Sequence, residues 1–194
     1  MSISISGTDG ITFPDASVQS TAPAGTLIGY QIFTASGTYT KATKNPSFII
    51  VEVQGGGSGG SSGATNYGGS AGGYSRKKIL ASALATSETV TIGAGGAAGA
   101  DGGASSFGSH CSATGGNYST TGAGGTGSGG DLNISGGGSH ITTVVNSHVR
   151  GAASFFGEGK GALSTATTSA YGSGGASSTN TTGTAGIVIV WEYK

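Results

Sequence analysis

The stretch FIIVEVQGGG, residues 48–57, passes directly from large apolar residues to glycine. Its β-branched, apolar first part predicts a strand over residues 47–53. The C-terminal stretch GIVIVWEY, residues 186–193, has the same composition and predicts a second strand. Each carries one Glu near its end among apolar neighbours, which is typical of a strand with one face covered. We expect these two strands, which bracket most of the glycine, to pair with each other.

Glycine dominates the chain between the two strands. There are 42 glycines in 194 residues, and 37 of them, all but the five before residue 55, lie in residues 55–186. Ordering a residue costs about 1–2 kcal/mol, and glycine loses the most freedom. A flexible linker of this length between paired strands would carry a large loop-closure cost. We therefore expect an ordered segment in which close main-chain contacts replace a side-chain core.

The glycines occur in bursts, at residues 55–63, 68–73, 93–103, 115–130, 136–138, 157–161 and 172–175. Several keep a spacing of three: Gly93, Gly96, Gly99 and Gly102 form one ladder, and Gly124, Gly127 and Gly130 form another. Three residues per turn is the period of the polyproline-type helix, which has no internal hydrogen bonds and must bond to its neighbours when buried. The spacing predicts short polyglycine II helices that run up and down, with turns at both ends.

The rest of the chain favours β structure. Weaker strands are predicted at residues 30–34, 74–80 and 89–92, and residues 79–87 can form a turn of helix at most. The expected fold class is therefore mainly β with a polyglycine II helix bundle. In it, a small β scaffold carries stacked glycine-rich helices and loops, with no substantial α-helix.

Composition excludes several classes of protein. Charged residues make up 8% of the chain, the formal net charge is zero, and the basic run is Arg76-Lys77-Lys78, so we expect no nucleic-acid partner. The single cysteine, Cys111, cannot form an internal disulfide, and we expect it to be a small apolar filler. The N-terminus lacks the pattern of a signal peptide, and no apolar stretch is long enough to predict a membrane span.

Titratable residues do not form a catalytic motif. A depolymerase would need two carboxylates across a cleft, which Asp101, Asp131 or Glu158 could supply only if the fold brought them together. His140 and His148 flank a loop but lack a third metal ligand at a typical spacing. We therefore expect no enzyme activity, no catalytic residue, no cofactor and no metal.

Several motifs carry a resemblance to a known family. FTASGTYT (residues 33–40), FIIVEVQGGG (48–57), GGYSRK (72–77), VTIGAGG (90–96), ASSFG (104–108) and GIVIV (186–190) occur in this order. Together they resemble the glycine-rich domain of bacteriophage tail-fibre proteins, which is similar to the tip adhesins of some T-even-like phages. In those adhesins polyglycine helices stack in layers and variable loops contact the host receptor.

The N-terminus carries a second, independent resemblance. ISGTDGITFPDASVQSTA, residues 5–22, is similar to a segment common in phage tail-fibre proteins, with Ala16 where the usual turn has Gly. The resemblance implies a virion tail-fibre protein, made in the bacterial cytoplasm. It assigns residues 1–25 to fibre attachment as a homotrimer and residues 26–194 to receptor binding. The implied partners are a bacterial outer-membrane protein or surface glycan, and other tail-fibre or baseplate proteins.

The candidate binding residues lie in breaks of the glycine pattern, at residues 61–67, 117–121, 139–150, 163–171 and 177–182. Apolar and aromatic anchors beside hydrogen-bonding groups are typical of binding surfaces. The expected receptor-binding residues are Tyr67, Tyr118, His140, Ile141, Val144, Val145, Asn146, His148 and Tyr171. Alternatively, the tyrosines pack on each other and cap the bundle. We expect Phe107, Phe155 and Phe156 to be internal plugs or edge covers.

Two other functions remain open. A structural fibre or baseplate component without receptor contact would share the same scaffold. An ice-binding protein can also be a bundle of polyglycine helices, but it would require a flat face of regularly spaced small residues and usually disulfides or a secretion signal. The irregular loops and the single cysteine disfavour that class.

Overall fold

The computed structural model describes residues 4–6, 10–12, 18–19, 25–41, 45–61, 66–118, 122–142, 149–161, 170–177 and 181–194. Within these ranges the chain is mainly β and contains no α-helix. The strands are β1 (Ser4–Ser6), β2 (Gly10–Thr12), β3 (Val18–Gln19), β4 (Leu27–Phe33), β5 (Gly37–Thr40), β6 (Phe48–Gln54), β7 (Asn66–Tyr67), β8 (Tyr74–Leu80), β9 (Ser87–Thr91), β10 (Ser105–Phe107), β11 (Cys111–Ala113), β12 (Gly127–Ser128), β13 (Leu132–Ile134), β14 (Ile141–Thr142) and β15 (Ile187–Tyr193). A 3₁₀ turn spans Ala81–Ala83, within the segment where at most a turn of helix is predicted.

The first five-stranded sheet is antiparallel and has the order β13-β8-β6-β15-β4. β6 and β15, the two strands that bracket the glycine, pair along their full length from Ile187 opposite Gln54 to Tyr193 opposite Phe48. The predicted pairing is therefore confirmed, although about 130 residues separate the two strands in sequence.

A second five-stranded antiparallel sheet has the order β12-β11-β10-β9-β5 and faces the first. β1, β2 and β3 form a separate three-stranded sheet at the N-terminus, and β7 pairs with β14. No helix among the described residues is long and apolar enough to span a membrane.

A side-chain core fills the space between the two five-stranded sheets. It consists of Tyr39, Ile49, Val51, Val53, Ile79, Leu84, Val90, Phe107, Cys111, Ala113, Val188 and Val190. Six of these residues, from Ile79 to Ala113, belong to residues 55–186, so the expectation that main-chain contacts replace a side-chain core is wrong for the part of that segment that joins the sheets. Phe107 is an internal plug and Cys111 a buried apolar filler, as predicted.

The two glutamates of the bracketing strands point to opposite faces of the first sheet. Glu192 lies opposite Ile49 and is buried in the core, whereas Glu52 lies opposite Ile189 on the outer face. The composition of the strands predicts an outward Glu in both cases, and that prediction is wrong for Glu192. A carboxylate can enter the core here because it finds hydrogen-bond donors there.

The glycine-rich part continues β6 beyond Gln54 as an extended segment, residues 55–61. Its successive N–H groups donate in rotation to three neighbouring segments, 67–73, 100–103 and 181–184, with N···O distances of 2.6–2.9 Å. The acceptor carbonyls are, in order, those of Gly73, Gly103, Thr184, Ser70, Ala100, Thr181 and Tyr67. The hydrogen-bond partner thus recurs at every third residue of this segment.

Glycine is needed where these segments approach most closely. A Cβ on Gly59 would overlap the carbonyl oxygen of Ala97, and one on Gly174 would overlap that of Gly69. Because the obstacle is backbone in both cases, it cannot be relieved by a change of rotamer.

The two glycine ladders are interrupted by changes in chain direction. After Gly96 the chain reverses in a turn, in which Ala100 N–H donates to the Ala97 carbonyl at 3.0 Å and Gly99 has a left-handed φ of 74°. In the second ladder, Gly127 belongs to β12 and Gly130 follows it in a bend. A spacing of three along the sequence therefore does not mark one continuous segment in either case.

Candidate functional site

The glycine-rich part has a sheet end and a far end. At the sheet end, Gly55 N–H donates to the Gly73 carbonyl and Gly186 N–H to the Gly93 carbonyl, next to the strands that these residues adjoin. At the far end, Ser61 N–H donates to the Tyr67 carbonyl. At the far end, segments that lead away from the sheets are followed by segments that lead back to them. We define the far end by residues 61, 66–67, 97–101, 117–118, 140–142, 149, 177 and 181.

Tyr67 and Tyr118 meet at the far end. Their ring centroids are 6.4 Å apart and the ring planes are nearly perpendicular, an edge-to-face contact. Tyr67 N–H donates to Ser61 Oγ at 2.8 Å, and Tyr118 N–H donates to Asp101 Oδ1 at 2.6 Å. The two tyrosines do pack on each other, as one of the two hypotheses held, yet both side chains remain half-exposed.

The segment that follows residue 139 joins the same surface. The His140 carbonyl accepts a hydrogen bond of 3.0 Å from Gly68 N–H, and the His140 side chain is exposed. Ile141 lies opposite Tyr67 in the pairing of β14 with β7. Four further candidates, Val144, Val145, Asn146 and His148, lie outside the described residues.

Tyr171 is not brought to this surface. The next residue, Gly172, donates its N–H to the Ala185 carbonyl and accepts a hydrogen bond from Gly72 N–H. Gly172 also lies against the side chain of Gln54, the last residue of β6. Tyr171 is therefore an exposed residue of the sheet end, and it is separated from Tyr67 by the length of the glycine segments.

Sequence reasoning missed the turn at residues 97–100 and the role of Asp101. The spacing of three predicts one continuous segment at residues 93–103, whereas the chain reverses there and places Gly99 against the Tyr118 ring. The available signal was Asp101, the one charged residue of the burst, which holds the Tyr118 backbone. From Asp101 an open groove of about 450 Å³ continues along the flank, lined by Thr114, Asn117 and glycines.

Charged groups on the flank are arranged as local pairs. The Arg150 guanidinium lies 2.6 Å from Glu158 Oε2, with both side chains exposed. Lys160 Nζ donates to Thr182 Oγ1 at 3.1 Å, and burial lowers the pKa of the Lys160 ammonium. Arg150, Glu158 and Lys160 thus supply hydrogen-bond donors and an acceptor on this flank.

The three carboxylates considered for a depolymerase are each engaged by a different group. Asp101 accepts from Tyr118 N–H, Asp131 from Lys78 N–H on β8, and Glu158 from Arg150. Among the described residues, no group of three or more His, Cys, Asp or Glu is arranged to hold a metal ion. What the far end offers chemically is aromatic contact and hydrogen bonding.

Comparison with known proteins gave no relative: no protein-family model and no curated protein matches this chain.

Proposed function

We propose that this chain is a phage tail-fibre protein that binds a bacterial surface receptor through its far end. The observation that supports it most is the meeting of Tyr67, Tyr118, Asp101 and His140 on a scaffold built from main-chain hydrogen bonds. The glycine-rich scaffold is held mainly by main-chain hydrogen bonds between its segments. Loops on such a support can vary without loss of the fold, as binding loops require.

The proposal includes the nature of that scaffold. The glycine-rich part is a bundle of polyglycine II helices, supported by the return of the hydrogen-bond partner at every third residue of 55–61. Residues 1–25 join this domain to the rest of the fibre and to other copies as a homotrimer. Several copies on one virion raise avidity without requiring a tight single site.

The receptor is an outer-membrane protein or a surface glycan. Two half-exposed tyrosines beside a carboxylate and a histidine can stack on a sugar ring or on an apolar side chain, and they can form hydrogen bonds to either. The alternative function is a structural fibre or baseplate component that makes no contact with the cell.

Binding of the purified, labelled chain to whole cells of the phage host tests the proposal. We expect replacement of both Tyr67 and Tyr118 by Ala to reduce binding at least about tenfold, since central aromatic residues dominate interfaces. Tyr171→Ala is the matched control, because it removes an exposed tyrosine from the sheet end. We expect it to bind as the parent does.

Failure of the parent chain to bind host cells would overturn receptor binding and favour the structural alternative. Equal losses in the far-end variant and in Tyr171→Ala would contradict the location of the site.

A further inference from the structure

The outer face of the first sheet, the side turned away from the core, is apolar. It is defined by the outward residues of β4, β15, β6, β8 and β13. These are Leu27, Tyr30, Ile32, Ile189, Trp191, Tyr193, Phe48, Ile50, Glu52, Arg76, Lys78, Leu80 and Leu132. A sheet with one face in water normally alternates apolar and polar residues, whereas β6 and β15 have apolar residues on both faces.

Much of this outer face is open. The exposed fractions are 48% for Leu27, 59% for Tyr30, 54% for Ile32, 57% for Leu80 and 45% for Leu132. Leu27, Tyr30 and Ile32 lie together on β4, whereas Leu80 and Leu132 lie toward the opposite edge of the sheet. Clustered exposed apolar residues such as those of β4 are characteristic of interaction surfaces. Trp191 and Tyr193 add partly exposed rings beside Tyr30 and Phe48.

The second sheet shows that open apolar surface is not a general property of this fold. Its outward residues are hydroxyl-bearing: Thr38, Thr40, Ser87, Thr89, Thr91, Ser106, Ser112 and Ser128. Both sheets contribute the same kind of inner face to one core, yet only the first has an outer face that water solvates poorly. This difference makes the first outer face, and not the second, the candidate for contact with another macromolecule.

The distribution of charge on this outer face favours contact between identical chains. β4 has no charged residue, and the one in β15, Glu192, points into the core. The charged outward residues lie on the neighbouring strands: Arg76 and Lys78 on β8, and Glu52 on β6, whose Oε2 accepts from Trp191 Nε1 at 2.9 Å at the border of the uncharged half formed by β4 and β15. Two copies of the uncharged half can therefore meet without like-charge repulsion.

The position of the N-terminal segment is a second reason to expect contact between identical chains. Gly25 N–H donates to the Lys194 carbonyl, so residues 1–24 join the fold beside the ends of β4 and β15. β4 is also an edge strand of seven residues without Lys or Pro, which often protect such edges, and its register shift against β15 lies at Gly29, toward the start of the strand. If residues 1–24 hold several chains together beside the ends of β4 and β15, the β4 strands of those chains come close to one another.

We propose that the outer face of the first sheet, centred on Tyr30, Ile32 and Trp191, packs against the same region of a second copy of this chain. This contact deepens the homotrimer part of the proposed function, but it does not depend on receptor binding.

Site-specific cross-linking of the full chain tests the contact. The introduced thiol is the only reactive one, because Cys111 is buried and burial raises the pKa of its thiol to about 11. With a short bismaleimide, we expect Tyr30→Cys and Ile32→Cys each to give at least fivefold more covalent dimer than Thr89→Cys. Thr89 is an exposed residue on the outer face of the second sheet. If residues 1–25 alone hold the copies together, a thiol at position 89 has the same effective concentration of partner thiols as one at position 30 or 32.

A charge introduced into the face is the second test. We expect Ile32→Lys to reduce the cross-linking of Tyr30→Cys at least fivefold, while Thr89→Lys leaves it unchanged and the circular dichroism of both matches the parent. Light scattering of the parent establishes its mass.

A monomeric parent, or equal cross-linking at positions 30 and 89, would overturn the proposal and leave the face to residues 1–24 or to another virion protein. Because no cells enter this assay, its failure is distinct from a failure of receptor binding.

Discussion

The Tyr39 phenol donates a hydrogen bond of 3.0 Å to Oε1 of Glu192, joining residues 153 positions apart in the core between the two sheets. Both side chains are buried. Gln31 Nε2 donates to the same oxygen at 3.3 Å. The two five-stranded sheets are therefore held together by a buried polar contact as well as by apolar packing.

We expect Tyr39→Phe to lower the free energy of unfolding by about 1–3 kcal/mol, because it leaves the buried Glu192 carboxylate with one donor fewer. Urea denaturation measures the effect. Tyr171→Phe is the control, since the Tyr171 side chain is exposed and lies outside both proposed surfaces, and we expect its stability to match the parent's. Equal stability of Tyr39→Phe and the parent would contradict a stabilising role for this hydrogen bond.

Alkaline pH should destabilise the fold through Tyr39 and Tyr74. Burial raises the pKa of both phenols above the ordinary value, and the neighbouring Glu192 and Glu52 raise it further. In the unfolded chain both phenols ionise near pH 10, whereas in the folded chain they stay protonated, so unfolding releases protons above that pH. Stability should be constant below about pH 9 and fall above pH 10 by up to about 1.4 kcal/mol per pH unit for each tyrosine.

Urea denaturation between pH 8 and 11 checks this dependence. Tyr39→Phe should reduce the alkaline slope by roughly half, because one of the two phenols is removed. A stability that does not change between pH 10 and 11 would contradict the prediction.

Acid should act through Glu88, whose Oε1 lies 3.1 Å from His110 Nε2. Burial opposes ionisation of Glu88, but hydrogen bonds from Ala85 N–H and His110 outweigh it and lower the pKa of the Glu88 carboxyl. A lowered folded-state pKa contributes stability above the unfolded value near 4.3, and this contribution is lost as the pH falls through the folded-state pKa.

We therefore expect Glu88→Gln to cost about 1–2 kcal/mol at pH 7 and to lose less stability than the parent between pH 5 and pH 3. Glu158→Gln, which alters an exposed ion pair, is the control and should change stability by less than about 1 kcal/mol. Thermal unfolding across this pH range measures both variants. Parallel pH profiles for Glu88→Gln and the parent would exclude this carboxyl as a source of acid sensitivity.

Because backbones approach closely at Gly59 but not at Gly37, we expect substitution by Ala to cost much more stability at Gly59. We expect Gly59→Ala to destabilise the fold by about 1–3 kcal/mol, because its Cβ would overlap the Ala97 carbonyl. At Gly37 a Cβ would meet only the Phe33 ring at 3.8 Å, an ordinary contact, and we expect Gly37→Ala to stay within about 0.5 kcal/mol of the parent. Chemical denaturation compares the two, and similar losses would argue against tight main-chain packing around residue 59.

The strands could be predicted because their signal is local. β6 and β15 follow from short apolar, β-branched runs, and their pairing follows from their places on either side of the glycine. The internal position of Phe107 follows from its place beside a glycine burst. The direction of Glu192 could not be predicted in this way. Its burial depends on the phenol of Tyr39, which reaches it from the other sheet.

The candidate surface could be predicted only in part. Breaks in the glycine pattern correctly identified chain reversals near Tyr67 and Tyr118, since bulky residues cannot occupy the closest backbone contacts. The same reasoning assigned Tyr171 to that group, although the following Gly172 lies against Gln54. A break in the pattern marks a turn, but it does not say at which end the turn lies.

The sequence by itself determined which residues form strands and where backbones come close, because alternation of apolar side chains and absence of a Cβ act over a few residues. The tertiary structure decided which end each turn occupies, which glutamate enters the core, and which sheet keeps an apolar outer face. These outcomes depend on contacts between segments far apart in the chain, and local composition contains no information about the partner that each segment will meet.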